Sequence, residues 1–177
     1  MPARHREETT ERFSSVLEES KNRIWGAHIR VPVSITNRLS GRRVVCTLNG
    51  SATFQCAVLH RGKDLFLITI NKALRTRLGL TFGMEVDVSL QPDRSVYGLP
   101  LPPEMKEVLR QDQSGNKLFH ALTKGKQRTL LHIVGAVQSP EKRVFRALAI
   151  VNHLKTFNGS INYKELAKAL RRRAGRP

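Results

Sequence analysis

The chain is short of cysteine, aromatic residues and acidic groups, and each shortage closes off a class of protein. Two cysteines in 177 residues cannot staple a disulfide scaffold, and without a CxxC pair or a Cys/His cluster there is no structural zinc motif. Aromatic residues make up 6% of the chain and are not interleaved with basic ones, so the stacking platform of a single-strand nucleic-acid binder is missing. Apolar runs such as LFLI and VFRALAIV fall far short of the roughly twenty residues that cross a bilayer. The opening stretch MPARHREETTERF is charged and lacks an apolar segment, which argues against a secretory signal and for a cytoplasmic location. No HExxH, GxSxG, GxGxxG or P-loop pattern is present. His28, His60, His120, His132 and His153 fall in different predicted elements, and His132 and His153 are the pair to examine because the third and fourth helices could bring them together. The expectation is a protein with no catalytic, cofactor or metal site, acting without enzymatic chemistry.

What the chain does have is positive charge. Lysine and arginine number 31 against 14 acidic residues, a formal net charge of +17. The excess grows toward the C-terminus: residues 1–21 hold 4 basic and 5 acidic groups, 22–103 hold 11 and 4, and 104–177 hold 16 and 5. A field of this sign attracts acidic proteins and nucleic acids, and it fits equally a merely solvated basic face.

The local pattern divides the chain into three regions. Residues 8–19 place Phe13, Val16 and Leu17 at helical spacing behind Thr9 and Thr10, which predicts an N-terminal helical extension over 1–21. Residues 22–97 read as a small β domain. Strands are expected over Ile24–Val33, Val44–Leu48, Ala52–Leu59, Leu65–Ile70 and Met84–Leu90, with a turn or short helix over Ser34–Leu39. Between the last two strands, Asn71 can cap a helix bearing Ala73, Leu74 and Leu78 inward, and Gly79 can end it in the left-handed region. Asn49-Gly50 predicts a two-residue hairpin turn that sets Cys46 against Thr53 and Arg43 against Cys56, with the two thiols on opposite faces. Five or six short strands with one helix suit a small closed barrel.

The run Gly98-Leu99-Pro100-Leu101-Pro102-Pro103 ends that region, and Pro103 sits well at the first position of a helix. Residues 98–177 read as helical, with apolar stripes at Met105, Val108 and Leu109; at Leu118, Phe119 and Leu122; at Leu130, Leu131, Val134 and Val137; and at Val144, Leu148 and Val151. The final segment pairs Asn162 with Glu165 at capping-box spacing and sets a stripe of Tyr163, Leu166, Ala167 and Leu170 against a basic one. The fold class is therefore α+β, a small double-split β-barrel followed by an α-helical domain.

Two segments look familiar. VPVSITNRL, CTLNGSATFQCAVL and INKALRTRLGLTFGMEVDVSLQPD, within Trp25–Leu90, resemble a bacterial domain of unknown function, a double-split barrel distantly similar to the swapped-hairpin barrel of AbrB-type regulators. LPPEMKEVLRQD, KLFHALTKGKQRTLLHIVGAV and EKRVFRALAIVNHL, within Leu101–Leu154, resemble the YdeI/OmpD-associated family, named for a proposed part in bacteriocin protection. Val137 stands where that family commonly carries a lysine after the alanine, so no role resting on that lysine transfers. The resemblance implies a non-enzymatic binding protein. The alternative is a nucleic-acid-binding regulator. The residues available for a polyanion are Lys72, Arg75 and Arg77 on the first helix, Arg128, Lys142, Arg143 and Arg146 in the helical half, and Lys164, Lys168, Arg171 and Arg172 in the tail.

Overall fold

A computed structural model describes residues 10–20 and 26–171, and the chain divides into two compact units, Met1–Gly98 and Leu99–Pro177. The first is built on two antiparallel four-stranded sheets. One takes β1 (Glu11–Val16), β8 (Glu85–Pro92), β4 (Arg43–Leu48) and β5 (Ala52–Ala57) in that order. The other takes β2 (Glu18–Glu19), β3 (Ala27–Val31), β7 (Phe66–Ile70) and β6 (Leu59–His60). The class is α+β as the sequence implies. The described strands form two separate ladders, though, and hydrogen bonding does not run round a closed barrel.

The helix expected over residues 8–19 is overturned, because Glu11–Val16 pairs along its length with β8, Phe13 opposite Val88. Its period is two: Glu11 and Leu17 are buried, Phe13 and Ser15 half-buried, and Val16 is turned out. The alternating strand β8 buries Val86, Val88 and Leu90, and its second edge needs a partner; β1 supplies it, overriding a weak helical pattern. Arg38, ending α1 (Val33–Arg38), grips the Glu11 carboxylate with both Nε and Nη2 and holds it below the usual carboxylate range. Residues Ile24 and Trp25 of the next expected strand lie outside the described residues.

The hairpin at Asn49-Gly50 forms, with both residues at positive φ, but its loop holds three residues and Leu48 faces Ala52. Asn49 explains the slip. Its N–H donates to the Asp87 carbonyl and its Oδ1 accepts from the Asp87 N–H, both at 2.9 Å, so β8 draws it into the ladder and Ser51 completes the turn. The expected register is thereby moved by one. Cys46 faces Phe54 and Cys56 faces Val44, which puts the thiols on one face instead of opposite ones. The buried Cys46 thiol is pushed up by its hydrogen bond with Cys56 and by desolvation.

Helix α2 (Lys72–Leu78) follows its local signals: Asn71 Oδ1 accepts from the Leu74 N–H at 2.8 Å, and Gly79 closes it at φ 63°. Leu74 is buried, while Ala73 faces out.

The second unit is helical: α3 (Pro103–Gln111), α4 (Gln113–Ala121), α5 (Lys124–Gly135), α6 (Pro140–Thr156) and α7 (Tyr163–Arg171). Pro103 opens α3 as expected. Helix α6 lies centrally and packs against each of the other four. The helical unit buries Met105, Leu109, Phe119, Leu130, Leu131, Ile150, Leu154 and Leu166. The expected tail stripe is narrower than its spacing suggests, since Tyr163 and Ala167 are exposed and Leu166 alone on α7 is fully buried. No helix among the described residues is long and apolar enough to cross a membrane.

Candidate functional site

A concavity of the first unit opens between β5 and α2, a cleft of about 620 Å³. It exists because β5 is the outer strand of its sheet, while β3 and β7 of the other sheet end beside it at Ala27 and Ile70. Phe54, Ala57, Leu59 and Leu74 give it an apolar wall; Arg43, Lys72 and Arg75 give it charge, and none of the described residues lining it is acidic.

The three cations differ in how they are held. Arg43 donates to the Gly98 carbonyl and stands 3.9 Å from the Asp93 carboxylate, which partly offsets its charge. Burial alone would raise the Asp93 carboxyl, but hydrogen bonds from Ser95 and Gln55 together with the Arg43 charge bring it below the usual range. Arg75 is half-buried, with its guanidinium 4.9 Å from the Phe82 ring centroid and its Nε buried without a hydrogen-bond partner. Lys72 is exposed at the rim, and Arg77, on the same helix, is exposed outside the cleft lining.

The basic positions of the helical unit are used otherwise. Arg143 Nε donates to Glu104 at 2.8 Å and its Nη1 donates to the carbonyls of Val137 and Gln138, so it fastens α6 to α3 and to the preceding turn. Glu104 is held below the usual carboxylate range by hydrogen bonds from its own backbone N–H and from Arg143. Arg146 donates to the Ile133 carbonyl at 2.7 Å, covering an α5 acceptor. Lys168 pairs with Glu165 at 2.8 Å. Lys142, Lys164 and Arg171 are exposed, Arg128 is half-buried on α5, and Arg172 lies outside the described residues.

The described histidines do not assemble. His132 is exposed on α5, whereas His153 is buried against Phe157 and its Nε2 accepts the Asn162 N–H at 3.1 Å, so Nδ1 carries the proton of the neutral ring. Desolvation lowers the His153 pKa, with Glu165 pulling the other way. Among the described residues no group of three or more His, Cys, Asp or Glu could hold a metal ion.

Of the basic residues that the sequence singles out, the structure brings Lys72 and Arg75 to one cleft and spends Arg143 and Arg146 on helix packing. Arg43, Phe54 and Cys56 are cleft residues that sequence reading misses. The hairpin signal pointed to their strands, but it set Arg43 against Cys56, whereas Arg43 pairs with Ala57 and Cys56 with Val44.

Residues 13–90 match the family described as a domain of unknown function, DUF1905, and residues 99–156 match the family described as "Bacteriocin-protection, YdeI or OmpD-Associated". No curated protein matches the chain. The two matches fall in the sheet unit and the helical unit respectively, and the chain is a DUF1905 domain followed by a bacteriocin-protection domain of the YdeI/OmpD-associated family.

Proposed function

We propose that this chain is a cytoplasmic, non-enzymatic binding protein that engages an acidic protein through the α2 side of its first unit, as its part in bacteriocin protection. The observation that carries this reading is the concentration of Lys72, Arg75 and Arg77 on one short helix beside a cleft none of whose described lining residues is acidic. Acidic side chains of a partner would meet charges not already committed to carboxylates of the fold. The test is retention of the full chain on immobilised polyglutamate across a salt series. Charge reversal at Lys72, Arg75 and Arg77 should weaken retention and flatten its salt dependence, while reversal at Arg171 should not. Unchanged retention in the triple variant refutes the reading, as does a turnover that survives purification and is abolished by one point change.

The second reading is a nucleic-acid-binding regulator acting through α7, where Lys164 and Arg171 are exposed. It expects duplex DNA retention to fall on reversal at those two positions, with the salt slope dropping by roughly one per lost phosphate contact.

A further inference from the structure

We propose that the cleft between β5 and α2 binds a small organic anion with an apolar body, its carboxylate or phosphate head on Arg75 and Lys72 and its body on Phe54 and Leu59. The proposal rests on reading α2 as an anion-binding element and goes beyond it, from a macromolecular surface to a small-molecule site.

Size comes first. At about 620 Å³ the cleft falls inside the range of small-ligand pockets, roughly 300–1,000 Å³, and it joins an apolar wall to a few convergent polar groups as such pockets do. The charges then choose the sign, since Arg43, Lys72 and Arg75 line it and no described lining residue is acidic. Arg43 is already engaged by Asp93 and the Gly98 carbonyl and serves as wall, which leaves the head group to the α2 pair.

Arg75 carries the argument furthest. Its Nε is buried without a partner and closed to an incoming ligand, so an anion in the cleft would meet the terminal guanidinium nitrogens. The guanidinium is also held against the Phe82 ring, so little side-chain freedom remains to be lost when an anion docks. A planar carboxylate or a phosphate oxygen suits that fork, and exposed Lys72 adds a second charge at the rim. Cys56 in the cleft wall provides a reporter, because an occupied cleft covers it while Cys46 is fully buried either way.

The test uses the full chain and anilinonaphthalene sulfonate, one anionic head on an aromatic body, followed by fluorescence. Saturable binding is expected, weakened about tenfold or more by Arg75→Gln with Lys72→Gln. Bound probe should also slow iodoacetamide labelling of Cys56. Decanoate and phenyl phosphate, as competitors, tell a carboxylate head from a phosphate head, and competition by either supports the site. Ala57→Trp, which fills the cleft, should abolish binding with the circular dichroism spectrum unchanged. Unsaturable binding overturns the proposal, and so does an affinity that both variants leave intact. Arg77→Glu lies outside the cleft lining: it should leave probe affinity unchanged and lower polyglutamate retention, so the failure of this site and the failure of the surface reading are seen separately.

Discussion

Helices α2 and α6 each carry three basic residues over a short stretch, Lys72, Arg75 and Arg77 on one and Lys142, Arg143 and Arg146 on the other, yet the two sets are held differently. On α6 the two arginines donate to Glu104 and to the carbonyls of Ile133, Val137 and Gln138, and the charge is consumed in holding helices together. On α2 Lys72 and Arg75 border a cleft, Arg77 is exposed outside it, and Arg75 keeps a buried donor unsatisfied. Net charge counts both sets alike. The difference shows that the partner of each guanidinium, and not its presence, separates a binding surface from a structural brace.

The largest expected effect comes from disturbing the packing of α6 itself, where it meets α4. A Cβ added at Gly115 would sit 2.3 Å from Val151 Cγ1, so Gly115→Ala should drive α4 from α6 and cost about 1–3 kcal/mol, read by denaturant unfolding of the full chain. A cost near zero would mean that the α4–α6 contact is looser than the structure has it. Next comes the contrast itself. Arg143→Gln strands Glu104 and two carbonyls and should lower the melting temperature by several degrees, whereas Arg77→Gln should leave the unfolding free energy within about 0.5 kcal/mol of the parent, the usual range for surface changes. Equal effects would erase the distinction between brace and surface.

The smallest expected effect is a pH dependence. The folded state holds His153 below its ordinary pKa, so on acidification the unfolded chain takes up that proton first. The stabilisation is full above about pH 6.5 and is lost as pH falls through the folded value. Thermal melts from pH 8 to pH 5 should show the decline, and His153→Gln should flatten it. A separate window lies lower, because Lys155 and the Gly115 N–H hold Asp112 at about 2. Its contribution is present above the unfolded carboxylate range and fades as pH drops toward that value, so Asp112→Asn should lessen the acid sensitivity below about pH 4, which Glu11, Asp93 and Glu104 share, and leave the His153 window in place.

The features legible in the sequence are those whose cause is local. Asn71 and Gly79 bound α2, Pro103 opens α3, and the Glu165 N–H donates to Asn162 Oδ1 at 3.2 Å, because caps and turns are decided within a few residues. The order of a sheet unit before a helical unit was legible for the same reason, through the switch of apolar period at the proline boundary. Among the candidate site residues, Lys72 and Arg75 could be named as available cations, but no local signal distinguished them from Arg143 and Arg146.

Sequence by itself therefore determined the α+β class, the placing of most helices and the basic character of the chain. Tertiary structure alone decided that residues 11–16 are a strand, that Cys46 and Cys56 share a face, and that β5 and α2 enclose a cleft. The physical reason is range. Caps, turns and periodicity act between neighbours, whereas strand register, edge pairing and the partner of a charged side chain are set by groups tens of residues away, such as Asp87 on Asn49 or Glu104 on Arg143.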